Sequence, residues 1–124
     1  MAASNERIRE VVEQYVTLVG TGTSAQVLDL YAEGATVEDP VGTDVLKTRE
    51  QIAAFYATLD DLDQETRLVE VRIAGGEAAF HFEIVTKVGD ARYVLAPFDV
   101  MTFDDDGKIT SMRAFWGDAD MVVQ

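Results

Sequence analysis

Cysteine is absent from the 124 residues, and histidine occurs once. The first absence removes thiol nucleophiles, thiolate metal ligands and any disulfide framework, and it fits a reducing compartment. The second removes a histidine-rich metal site or a histidine pair within one chain. Basic residues are scarce: 10 against 23 acidic ones, a formal charge of −13. That balance argues against nucleic acid or an anionic membrane surface as a partner. No apolar run approaches the ~18 residues of a membrane span. The opening Met1-Ala2-Ala3-Ser4-Asn5-Glu6-Arg7 has no basic region leading into an apolar one, so a soluble, cytoplasmic protein is expected. What is present is a chain 48% apolar and 27% charged. At roughly 100–200 residues per domain it should form one domain, residues 1–124, around one core. Its chemistry must come from carboxylates, tyrosines and backbone.

The first half reads as helix. Ile8, Val11, Val12, Tyr15, Leu18 and Val19 form an i, i+3, i+4, i+7 stripe over residues 6–19, with Ser4 or Asn5 to cap it and Gly20 and Gly22 to end it. Thr23-Ser24-Ala25-Gln26 has capping-box spacing and opens a second helix carrying Val27, Leu28, Leu30 and Tyr31. Thr48-Arg49-Glu50-Gln51 repeats the spacing and opens a third, with Ile52, Phe55, Tyr56 and Leu59 on one side. Between these two, residues 35–42 are extended, because the residue before Pro40 avoids the helical region. The second half reads as strand, over 67–73, 78–87, 92–103 and 108–116. The breaks at Gly75-Gly76, Gly89-Asp90 and Asp104-Asp105-Asp106-Gly107 are hairpin signals that predict an antiparallel meander. Helices followed by a meander give an α+β layer.

The informative polar groups are those that share a face with the core. Period two along 92–103 places Asp99 in a row with Tyr93, Leu95, Pro97, Met101 and Phe103. The opposite face, Val94, Ala96, Phe98 and Val100, is apolar too, so both sides of the strand should be covered. An ionised carboxylate is costly there, so Asp99 is either paired, with Arg92 or Arg113, or protonated with a raised pKa. Tyr15, Tyr31 and Tyr56 fall on predicted inward helix faces, one per helix. Each alone reads as a core tyrosine whose hydroxyl finds an acceptor. Asp39 lies in a loop beside Pro40 and Gly42, where a solvated carboxylate is the ordinary expectation, and Glu38 alternates toward water. Phe55, Phe82, Met112 and Trp116 read first as core, although an apolar pocket uses the same residue types. Residues 60–65 form an acidic loop, His81 is structural and Gly20-Thr21-Gly22 follows a helix, which excludes a dinucleotide loop. The Asp104–Gly107 run lacks the remaining ligands of a calcium loop and is a turn.

Five stretches together resemble the bacterial steroid Δ5-3-ketoisomerases (ketosteroid isomerases). They are Gln14-Tyr15-Val16, residues 31–42 with Val37-Glu38-Asp39-Pro40, residues 49–57, Val94-Leu95-Ala96-Pro97-Phe98-Asp99 and Ser111-Met112-Arg113-Ala114-Phe115-Trp116. The resemblance implies an NTF2-like α+β cone, three N-terminal helices packed on a curved antiparallel sheet. It implies a small-molecule steroid substrate, no metal or organic cofactor, and a homodimer through the outer sheet face. Asp39 would be the base that moves a proton from C4 to C6 of a 3-oxo-Δ5 steroid. Tyr15 and a neutral Asp99 would donate hydrogen bonds to the dienolate oxygen, with Tyr56 and Tyr31 hydrogen-bonded behind Tyr15. This family supplies the standard example of two carboxyl groups driven to different protonation states, so the neutral acid comes from the resemblance and not from the spacing.

Physical reasoning is consistent with it. Enolisation develops charge on one oxygen, which calls for fixed donors in a dry site. Two acids in unlike surroundings separate into a base and a donor. Two other readings use the same fold, since fold does not fix function: a polyketide cyclase acting on another hydrophobic ketone, and a non-catalytic module that binds a hydrophobic ligand.

Overall fold

The computed structural model describes residues 2–124. Helix α1 (Asn5–Thr21) starts at Ser4, whose side chain accepts from the Arg7 backbone N–H, and it buries Ile8, Val11, Val12, Tyr15, Val16 and Val19. That is the predicted stripe with Val16 added and Leu18 only partly buried. Both capping boxes form as expected, Thr23 with Gln26 at α2 (Ser24–Leu28) and Thr48 with Gln51 at α3 (Arg49–Ala57). Gly20 has a specific packing reason, because a Cβ there would stand 2.6 Å from Thr66 Oγ1. Only a glycine lets the sheet pass this close to α1.

Seven strands follow: β1 (Tyr31–Glu38), β2 (Asp63–Ala74), β3 (Glu77–Val88), β4 (Ala91–Leu95), β5 (Phe98–Phe103), β6 (Ile109–Phe115) and β7 (Val122–Val123). The three glycine-bearing turns join β2 to β3, β3 to β4 and β5 to β6 as predicted, and Asp104 Oδ1 closes the last by accepting from the N–H groups of Asp106 and Lys108. The expected strand 92–103 is two strands. It breaks at Ala96-Pro97, where proline has no N–H to give a ladder. Its halves lie end to end along β3, β4 opposite residues 84–88 and β5 opposite residues 77–81.

Tyr31 is not helical. α2 stops at Leu28, the Ile109 N–H donates to Leu30 C=O at 2.9 Å, and Tyr31 opens β1 opposite Ile109. Tertiary pairing with β6 outweighs a short helical pattern here. β1 runs parallel to β6, so the sheet is mixed, with order β1-β6-β5-β3-β4-β7 and β2 on the other edge of β3. The helices cover its inner face, and one cluster from Ile8 to Ala114 fills the space between. Within one chain the outer face carries exposed aromatic residues, Phe98 at 56% and Phe115 at 41%. Among the described residues no helix is long and apolar enough to cross a membrane.

Candidate active site

Between the helices and the inner face of the sheet lies a cavity of about 270 Å³, to which Tyr15, Asp39 and Asp99 all contribute. Its size falls near the lower end of the ~300–1,000 Å³ usual for small-molecule sites. Asp99, the second residue of β5, points inward as the alternation predicts, directly across from Phe80 and two residues before the fully buried Met101. It is 1% exposed, and its Oδ1 has no hydrogen-bond partner among the described residues. The pairing alternative fails for a definite reason. Arg113 sits on the outward side of β6, its Nε donating to Glu38 Oε1 at 3.0 Å, and Arg92 is exposed on β4 while Asp99 is buried. Burial, and then the negative charge of Asp39, push the Asp99 carboxyl well above the usual carboxylate range.

Behind Tyr15 the structure assembles a chain of hydroxyls. Tyr31 and Tyr56 are 2.6 Å apart, oxygen to oxygen, and Tyr56 and Tyr15 2.9 Å. The rings are held edge-on, Tyr15 against Phe80 and Phe82 with centroids 6.2 Å apart in each pair. Burial is the first cause raising all three phenol pKa values, with Tyr31 and then Asp99 adding to it at Tyr15. All three therefore stay protonated at neutral pH. Of the three, Tyr15 and Tyr56 line the cavity; Tyr31 stands behind Tyr56. A proton order Tyr31→Tyr56→Tyr15 leaves the Tyr15 O–H free to donate into the cavity.

Asp39 follows β1 in a loop with a different environment. Glu38 pins that loop by accepting from the Gly42 N–H and from Arg113, each at 3.0 Å, and so does not simply face water as its alternation suggested. These two bonds hold the Glu38 carboxyl below its ordinary pKa. Asp39 is half-buried, and Trp116 Nε1 donates to its Oδ1 at 2.7 Å. Burial raises its pKa and the Trp116 bond partly offsets that rise. Asp39 thus has a donor that favours the anion, whereas among the described residues Asp99 Oδ1 has none and the side chain is more deeply buried.

A family model described as the SnoaL-like domain matches residues 12–112. A protein from Nocardioides simplex named "Steroid Delta-isomerase" is 48% identical over 116 residues, covering 94% of each chain. The chain belongs to the ketosteroid isomerase family of SnoaL-like domains. The same family fold extends to a solved structure of SalBIII, an epoxide hydrolase/cyclase-like enzyme of pyran-ring formation in the polyether salinomycin. That chain superposes with a TM-score of 0.89 at 26% identity, covering 98% of both chains.

Phe55, Phe82 and Trp116, which read first as core with an apolar pocket as the other use of such residues, are wall residues of the cavity. Met112 is not. It is 1% exposed and lies between Val37 of β1 and Met101 of β5, in the core beneath the wall. Sequence reasoning passed over Leu59, Ile84, Leu95, Pro97 and Met121 as contacts, and over the polar pair Gln64 and Thr86. Ile84 and Thr86 continue the inward alternation of Phe80 and Phe82, a signal that was available. Met121 had none, since it reaches the rim only because β7 pairs with β4.

Proposed function

We propose that the protein isomerises 3-oxo-Δ5 steroids to 3-oxo-Δ4 steroids by intramolecular proton transfer through a dienolate. The Asp39 carboxylate takes the proton from C4, the electron pair of that C–H bond forms the C3=C4 double bond, and the carbonyl pi pair moves onto O3, so that the new bond conjugates with C5=C6 as a dienolate. Asp39 then returns the proton to C6, and its carboxylate is regenerated. Substrate and product are isomers, so the cycle is redox-neutral. Tyr15 and neutral Asp99 donate to O3, and both bonds strengthen as charge develops, which lowers the barrier instead of merely tightening binding. Tyr56 and Tyr31 orient the Tyr15 hydroxyl.

One observation carries the reading: a buried Asp99 carboxyl whose Oδ1 has no partner among the described residues and a tyrosine-backed Tyr15 hydroxyl share a cavity with Asp39, a less buried aspartate whose anion has a donor in Trp116. A hydrophobic-ligand module has no use for that division. The 48% identical steroid Δ-isomerase supports the substrate class. The cyclase reading has the SalBIII likeness in its favour, at lower identity. The deciding experiment is the appearance of conjugated-enone absorbance from 5-androstene-3,17-dione. A rate no greater than that of buffer at pH 7 removes the isomerase reading. Asp39→Asn should lower kcat by at least ~10²-fold with steroid binding retained, the scale for a positioned base. We further propose that two copies associate through the outer sheet face, where Phe98, Phe115 and Val69 are exposed.

A further inference from the structure

The cavity holds a second polar locus that proton transfer does not use. Gln64 of β2 and Thr86 of β3 are direct cross-strand partners, and both line the wall. Gln64 Nε2 donates to Thr86 Oγ1 at 2.9 Å, while Gln64 Oε1 is buried without a partner. Among the described residues the one other buried side-chain atom in that condition is Asp99 Oδ1. An amide oxygen buried without a donor is destabilising until something supplies one.

Its position gives the pair meaning. The inward residues of β3 run Phe80, Phe82, Ile84, Thr86, and Phe80 is the partner of Asp99. Thr86 lies six residues along the strand from Phe80, at most about 20 Å of backbone, a span that the curvature of the sheet, the inward reach of the side chains and a hydrogen bond at each end shorten for the ligand. The wall between is hydrocarbon, including Phe82, Ile84 and Leu95. A ligand touching both ends is therefore elongated, apolar along its middle, and oxygenated at both tips.

We infer that Gln64 and Thr86 anchor a hydroxyl group on the end of the substrate remote from the reacting enone, which on a steroid is a 17-hydroxyl. The steroid skeleton in this statement rests on the isomerase reading; the anchor itself rests on the cavity. Thr86 Oγ1 accepts from Gln64 and keeps its own proton to donate, and Gln64 Oε1 can only accept. A hydroxyl satisfies both, donating to Gln64 Oε1 and accepting from Thr86. A ketone accepts from Thr86 and leaves Gln64 Oε1 unpaired. A bare methylene satisfies neither. The order of preference is hydroxyl, ketone, unsubstituted, and the two residues set specificity without touching the reacting atoms.

The test compares kcat/KM for 17β-hydroxyandrost-5-en-3-one, 5-androstene-3,17-dione and androst-5-en-3-one, together with Kd for the matching 4-en-3-ones. The wild-type protein should favour the 17-hydroxyl over the unsubstituted ligand by about tenfold in both quantities. Gln64→Leu should bring that ratio to within about twofold of unity, and Thr86→Val should move it the same way should the first variant not fold. A wild-type ratio near unity, or a ratio unchanged in a folded variant, overturns the anchor, and turnover in that same assay leaves the isomerase reading standing. Absence of turnover with a Kd ratio that collapses in the variants supports the anchor and overturns the isomerase reading instead.

Discussion

Replacing Asp99 by asparagine removes a proton-binding site while nearly preserving shape, and the consequence for stability can be worked from the burial alone. The unfolded chain releases the Asp99 proton near pH 3.9. The folded protein holds it to a much higher pH, because burial first and the Asp39 charge second disfavour the anion. Between those two pKa values the folded state binds one more proton than the unfolded state. Stability from this group is therefore complete below the unfolded pKa and declines as pH rises, at about 1.4 kcal/mol per unit, until the folded pKa is passed. The proposed donor role requires Asp99 to stay protonated through pH 7, and on that premise the wild type loses about 2.7 kcal/mol through Asp99 from pH 5 to pH 7 while Asp99→Asn loses none. The buried amide brings its own unsatisfied donors, but that cost is the same at every pH and cancels from the slope. Urea or thermal unfolding of both proteins at pH 5, 6 and 7 reads the difference directly, roughly 10 °C in relative Tm across the range. A difference between wild type and variant that stays constant within ~0.5 kcal/mol over this range means that Asp99 is charged in the folded protein. The neutral donor, and the mechanism with it, then fails.

Tyr15→Phe should lower kcat by about 10²–10³-fold with far less effect on product affinity, the signature of a donor needed at the transition state; equal losses in both quantities contradict the assignment. Tyr56→Phe leaves the Tyr15 O–H in place but removes its bond at 2.9 Å, so a smaller loss, about tenfold, is expected from the same kinetics. Trp116→Phe takes away the donor that holds down the Asp39 pKa. Since Asp39 must be ionised to act, the acid limb of the kcat/KM profile should move to higher pH, and a limb that stays in place or moves down identifies a different base. Phe98→Glu on the exposed face should yield monomers in sedimentation equilibrium, and an unchanged mass excludes that face as the interface.

Local signals carried much of this molecule into view. Both capping boxes, the α1 stripe and the three glycine turns depend on neighbours within a few residues, and each formed where the sequence placed it. Asp99 was legible for the same reason, as one acid in an apolar period-two row. Features that depend on distant pairing were not. Tyr31 leaves its apparent helix because β6 offers β1 a parallel partner. Met112 in the middle of β6 and Trp116 just past its end are both large apolar residues, and nothing in their type says that the first is sealed in the core while the second meets Asp39. Gln64 lay hidden in an acidic run that reads as a solvated loop, although β2 has already begun at Asp63.

The protonation state of Asp99 is finally a matter of strand register. Across β5 and β6, Asp99 faces Ala114 and the next pair is Val100 with Arg113. Alternation then turns Met112 and Ala114 into the core and Arg113 outward, where Glu38 receives it. A shift of β6 by one residue would exchange the faces of all three side chains and bring the guanidinium toward the buried carboxyl. Asp99 beside Arg113 would ionise, becoming an acceptor where the dienolate needs a donor. The register is secured by the parallel pairing of Val37 with Met112 and Glu38 with Arg113, the same β1 segment that ends at Asp39. In the proposed mechanism one strand therefore delivers the base to the cavity and, through its outer ion pair, keeps the cation away from the acid that must remain neutral.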